Sequence, residues 1–91
     1  MIRSFYDKDT ERLANGDPVR RFSSFERVAR RRLSQLNNAR SLQDLKGVGA
    51  SLEALRDDRT GQHSIRISGA WRLCFVWNEG HAERVEIVNY H

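Results

Sequence analysis

The hydrophobic period of the chain changes near Leu52, and that change constrains its fold more than any single motif. Before it, apolar residues recur at three- and four-residue intervals, as in Phe25, Val28, Ala29, Leu33 and Leu36. After it, the stretch HSIRISGAWRLCFVW sets His63, Ile65, Ile67, Trp71, Leu73, Phe75 and Trp77 on alternate positions. The first spacing lays an apolar stripe along a helix, and the second gives a strand one apolar face. Helices early and strands late predict an α+β fold, with N-terminal helices on one face of an antiparallel meander whose other face stays open.

The segment Ile2 to Phe5 is short and β-prone, and DKDTERLAN reads as a short helix ended by Gly16, with Asp17-Pro18 turning the chain. Ser23 and Glu26 have the spacing of a capping box at the start of the amphipathic helix. A short helical turn should follow within ARSLQDLKGVGAS, with Gly47 and Gly49 as breakers. Asn78-Glu79-Gly80-His81 marks a hairpin turn, after which Val85 and Ile87 resume the core-facing pattern.

A chain of 91 residues has room for one domain, taken as residues 1–91, and one modest core, so function should lie on a surface. The single cysteine, Cys74, excludes a disulfide framework and a Cys-cluster zinc site, and suits a reducing cytosol. Its place within a strand suggests packing. No apolar run approaches a membrane span, and the Met-Ile-Arg-Ser-Phe start lacks a signal peptide's apolar segment, so a cytoplasmic protein is expected. Nucleotide-binding glycine motifs, HExxH and paired Cys-His spacings are absent, and neither a metal nor a cofactor is expected.

The formal net charge of +4 is unevenly spread. Between Arg20 and Lys46 lie Arg20, Arg21, Arg27, Arg30, Arg31, Arg32 and Arg40, opposed only by Glu26 and Asp44. An arginine-rich sector suits a polyanion, through counterion release and bidentate phosphate contacts. A solvated helix face or an acidic protein partner explains the same charge.

The chemistry is best sought in the strands. If Ile67 faces Trp71 across the hairpin at Ser68-Gly69-Ala70, then Arg66 faces Arg72 on the open side of the sheet. Like charges so placed need an anion between them, or a carboxylate partner such as Glu86. With Val85 and Ile87 inward, Glu86, Val88 and Tyr90 point outward, so Tyr90 shares the arginine face. Two guanidiniums and a phenol could bind a phosphodiester and stabilise a five-coordinate phosphorus. Were the substrate RNA, its own 2′-hydroxyl could be the nucleophile and no metal would be needed.

Of the histidines, His81 in its turn should be solvated, and His63, on the core-facing parity, should be packed and satisfied. His91 can change charge near neutrality and, as the last residue, brings its own carboxylate. Strict alternation sends Asn89 and His91 to the face opposite Tyr90, so a site there needs a twist, a bulge or a curled terminus.

Leu52-x-x-Leu55-Arg56, Asp58-Arg59-x-Gly61, Ser64-Ile65, Trp71-Arg72 and the closing Tyr90-His91 together resemble the HigB branch of the RelE-like toxins of bacterial toxin-antitoxin systems. The C-terminal half matches in detail and the helical half in order and length. The resemblance implies a microbial-RNase-type fold, with helices on one side of a curved sheet and RNA on the other. It implies an endoribonuclease that cuts mRNA on the ribosome. Arg56 stands where a basic residue contacts the scissile phosphate, Arg72 where an arginine stabilises it, and Tyr90 and His91 on the C-terminal catalytic pair, with His91 moving a proton. Asn89 replaces a common aspartate and could orient RNA or His91, while Glu53 replaces a histidine found in some relatives. Asp57-Asp58 takes the place of a glycine-containing turn. Arg59, Arg66, Arg30, Arg31 and Glu53 complete the expected RNA contacts. The implied partners are a HigA-type helix-turn-helix antitoxin, the ribosome with its mRNA, and operator DNA only through the antitoxin complex.

Two other readings fit the sequence. A non-catalytic module could bind ribosomal RNA or act with an antitoxin as co-repressor, in salt-sensitive binding that survives loss of His91. A degenerate toxin could bind its antitoxin and cut nothing.

Overall fold

The computed structural model describes residues 1–46 and 51–90. Gly47 and Gly49, read as helix breakers, and His91 lie outside the described residues. Helix α1 spans Lys8–Ala14, α2 Glu26–Asn38 and α3 Gln43–Lys46. Strands β1 (Glu53–Ala54), β2 (Gln62–Ser68), β3 (Trp71–Asn78) and β4 (His81–Asn89) form one antiparallel sheet in sequence order. This is the α+β arrangement that the change of period predicts.

Local chemistry sets the ends of these elements. Asp7 caps α1, its carboxylate accepting from Thr10 N at 3.1 Å, and Gly16 takes the left-handed φ of +100° just beyond the helix. The β3–β4 hairpin turns on Glu79 and Gly80, whose φ angles of 51° and 81° give the doubly left-handed turn that matches strand twist. Asp57 has φ 56°, a conformation that the glycine of a more usual turn would adopt without a Cβ penalty.

The capping box at Ser23 does not form. Arg20–Phe25 winds as a 3-10 helix that runs straight into α2, so Phe25 occupies the N-cap and no side chain caps it. Packing explains the difference, because a 3-10 turn aligns residues three apart. Phe22 and Phe25 thereby both reach Trp71, with ring centroids at 5.9 and 4.8 Å.

One face of the sheet is covered. Ile65, Leu73, Phe75, Val85 and Ile87 meet Leu13, Phe22, Ala29, Leu33 and Leu36 in a continuous core. Each fully buried leucine there contributes about 2 kcal/mol of transfer free energy. Thr10 is the polar link between the layers. Its buried hydroxyl donates to Asp7 Oδ1 at 2.7 Å and accepts from Ile87 N at 3.1 Å, tying α1 to β4.

Two irregularities alter the simple ladder. Arg66 pairs with Arg72 as expected, but Trp71 pairs with Ser68, so Ile67 is bulged rather than opposite Trp71. In β4 the register jumps between Glu83 and Glu86, and Arg84 there takes φ 53°. Ser4 pins this second bulge, its Oγ accepting from Arg84 N at 2.9 Å and its carbonyl from Val85 N at 3.1 Å. The N-terminal segment lies parallel to β4, with bridges at Ile2–Ala82 and Phe5–Val85.

The histidine expectations are corrected. His63 does pack, stacked on Phe75 at 6.2 Å, but its buried Nδ1 has no hydrogen-bond partner among the described residues. His81 is not a solvated turn residue: it opens β4 opposite Asn78, and its Nδ1 is likewise buried and unpartnered. Among the described residues, no helix is long and apolar enough to cross a membrane.

Candidate functional site on the open sheet face

Arg72 is the most tightly held cation of the open face. Its ladder partner is Arg66, and the next residue outward on its own strand face is Cys74, which pairs with Ser64. Arg72 reaches across this diagonal, and its Nε donates to Ser64 Oγ at 2.6 Å. Its Nη2 donates to the Ser51 carbonyl at 2.7 Å and lies 3.4 Å from Glu53 Oε1. The side chain is only 13% exposed, so the guanidinium is fixed while Nη1 makes no bond among the described residues. A carboxylate partner was one sequence expectation for this arginine. It is Glu53 from β1 rather than Glu86, because β1 brings Glu53 opposite Ser64.

Glu86 instead holds Arg59. The 3-10 turn Asp57–Arg59 carries Arg59 over β4, where Nη1 donates to Glu86 Oε1 at 3.2 Å and to Gln62 Oε1 at 3.1 Å. Burial works to lower the Arg59 pKa, but the bond to Glu86 and its charge outweigh it, so Arg59 lies above its usual range.

Tyr90 completes the cluster. Its backbone N donates to the Ala70 carbonyl at 2.8 Å, and its phenol meets Cys74 Sγ at 3.5 Å. Burial and the Cys74 contact push the phenol up to about 12, against the opposing charges of Arg59 and Arg72. Near neutral pH the Tyr90 phenol is therefore protonated. Burial also pushes the Cys74 thiol up, so it stays protonated.

The open face thus gathers Arg72, Tyr90, Arg59, Glu53 and Glu86 around buried Ser64 and Cys74. Arg66 stands at its hairpin end, exposed, with its carbonyl accepting from Arg32 Nε at 2.9 Å. Arg56 is exposed at the start of the Asp57–Arg59 turn. Asn89 is not part of the cluster. It pairs with Trp71, whose ring packs on Phe25, so its side chain belongs to the helix-facing side of the sheet. Arg30 and Arg31 also stand apart on α2. Arg30 is committed to the Gly16 carbonyl at 3.0 Å and lies 3.7 Å from Glu26, while Arg31 is exposed. His91 follows Tyr90 in the chain but lies outside the described residues.

Sequence reasoning missed Ser64 as the anchor of Arg72 and read Cys74 only as packing. Both were available from parity, since Ser64, Cys74 and Arg72 share the even-numbered strand face. Among the described residues no group of three or more His, Cys, Asp or Glu could hold a metal ion.

A family model described as a RelE-like toxin of type II toxin-antitoxin system HigB matches residues 2–91. Among solved structures, the chain is similar to the YoeB dimer from Staphylococcus aureus, with a TM-score of 0.56 and 18% identity. That similarity covers 99% of this chain and 97% of the other, and it speaks to the fold alone. A comparison with curated protein sequences finds no match.

Proposed function

The chain belongs to the HigB-like, RelE-like toxins of type II toxin-antitoxin systems, and from that premise we propose that residues 1–91 form one toxin domain that cleaves mRNA on the ribosome. The observation that carries this reading is the pairing of a fixed Arg72 guanidinium with a protonated Tyr90 on one open sheet face.

The reaction needs a nucleophile, charge stabilisation and two proton transfers. The RNA supplies the nucleophile, as its 2′-hydroxyl attacks the adjacent phosphorus and expels the 5′-oxygen of the next nucleotide, leaving a cyclic phosphate. Arg72, whose Nη1 makes no bond among the described residues, stabilises the charge that builds on the non-bridging oxygens. It is already oriented by Ser64, so little reorganisation accompanies the reaction. Tyr90, held protonated, donates to an oxygen of the phosphorane or to the leaving oxygen. His91 takes the proton of the 2′-hydroxyl, a role suited to an imidazole near neutrality. Arg56, Arg59 and Arg66 bind flanking phosphates, and no metal enters the scheme.

A toxin of this class implies an antitoxin. We assign a helix-turn-helix antitoxin of the HigA type, through which operator DNA would be bound, and the cytosol as the place where ribosomes are met. Arg30 and Arg31, remote from the cluster, then serve an antitoxin or ribosomal RNA surface rather than the scissile phosphate. Inducing the protein in bacteria should stop growth and fragment transcripts, and Arg72→Ala or His91→Ala should relieve both. Growth arrest that persists in both variants would favour the non-catalytic ribosome-binding module and reject the enzyme.

A further inference from the structure

A second feature of the open face lies beyond Arg59. A groove of about 290 Å³ is lined by Tyr6, Asp58, Arg59, Gln62, Arg84 and Glu86. Tyr6 is 59% exposed, although large apolar side chains elsewhere in the fold are mostly packed. Its backbone is fixed by the bond from Tyr6 N to the Val85 carbonyl at 3.0 Å, so the ring is presented on a rigid support. The guanidinium of Arg84 lies 5.8 Å from the ring centroid. Arg84 occupies the pinned bulge of β4 at φ 53°, a conformation that costs a non-glycine residue about 1 kcal/mol. An exposed aromatic ring beside a guanidinium, both on constrained backbone, is a platform on which a planar base can stack.

The rim determines which base. Gln62 Oε1 and Glu86 Oε1 both accept from Arg59, while Glu86 Oε2 has no partner among the described residues and Asp58 is exposed. These acceptors match a base edge that presents donors, and the N1–H and N2–H₂ pair of guanine can bond one carboxylate twice. Arg59 and Glu86 belong both to this groove and to the cluster around Tyr90, so the groove adjoins the phosphate site.

We propose that the Tyr6–Arg84 groove is a nucleobase subsite that takes an unstacked base, guanine by preference, from a nucleotide flanking the scissile phosphate. This rests on the reading of the protein as an endoribonuclease for its biological use, but its ligand chemistry can be tested apart from it. The full chain would be titrated with the four nucleoside 5′-monophosphates while the Tyr6 ring and Arg84 Nε resonances are followed by NMR. GMP should move both signals and bind about tenfold more tightly than UMP. Tyr6→Ala should weaken GMP about tenfold while Tyr6→Phe stays within about twofold, since stacking needs the ring and not the hydroxyl. Glu86→Gln should erase the preference for GMP. Signals unmoved by any nucleotide, or GMP binding unchanged in Tyr6→Ala, would overturn the subsite, and equal binding of all four would overturn its base preference. Nucleotide binding here by a protein that cuts no RNA would support the subsite and reject the enzyme. RNA cleavage whose rate and flanking-base profile are unaltered by Tyr6→Ala would retain the enzyme and reject the subsite.

Discussion

Arg72 and Ser64 are joined across a ladder diagonal, with Nε 2.6 Å from Oγ, although neither is the other's register partner. Ser64 is fully buried, so its hydroxyl cannot be replaced by water without repacking. Ser64→Ala should leave a guanidinium donor unpaired, costing about 1.5–3 kcal/mol of stability. In a single-turnover cleavage assay, loss of this alignment should lower the rate constant roughly 10- to 100-fold. Apparent RNA affinity should change much less, because the charge of Arg72 remains.

Tyr90 ionises at about 12 in the folded protein, against about 10 for an ordinary phenol. The folded state therefore holds this proton more tightly than the unfolded chain. Stability should fall as pH rises from about 10 to about 12, and Tyr90→Phe should remove that part of the fall. The difference in phenolate absorbance between the protein and Tyr90→Phe should have its midpoint near 12. A midpoint near 10 would show that burial and the Cys74 contact do not hold the phenol's proton in the folded state.

Glu53 lies 3.4 Å from Arg72 and is 59% exposed, so it offsets part of the positive charge offered to RNA. Glu53→Gln should tighten binding of a short single-stranded RNA and steepen its salt dependence. If one more phosphate is neutralised, the log–log slope should grow by about 0.7. The same experiment on Arg31→Gln should leave the slope for a short RNA unchanged, since Arg31 lies on α2, outside the open-face cluster.

Thr10 carries the polar connection between layers, accepting from Ile87 N while donating to Asp7. Thr10→Val keeps the shape but leaves a buried backbone N–H without its acceptor, and should cost about 1–3 kcal/mol. Thr10→Ser should recover most of the loss. Thermal or urea unfolding would compare the two.

Much of this was legible because strand parity is a strong signal. The alternation around Ile65 and Leu73 locates the core face, and extending it puts Arg66, Arg72 and Tyr90 on the opposite face from sequence alone. Parity failed where the backbone departs from a regular ladder. The bulge at Ile67 shifts Trp71 onto Ser68, and nothing in Ile-Ser-Gly-Ala announces it. Arg84 likewise occupies a left-handed position that the side chain alone would argue against. The capping box misled because Phe22, Phe25 and Trp71 favour a 3-10 lead into α2, a tertiary contact that outweighs a local cap. Ion-pair choice was also illegible: Glu53 and Glu86 both lie on the open face, and only the paths of β1 and the Asp57–Arg59 turn decide which arginine each meets.

Arg72 and its open-face neighbours are proposed to cut mRNA during translation. Mapping 5′ ends of cellular mRNA after induction of the protein, beside Arg72→Ala, tests this most directly. New ends should align to the reading frame of translated messages and be absent from the Arg72→Ala sample. Growth arrest without new ends, or the same ends in Arg72→Ala, would contradict that role.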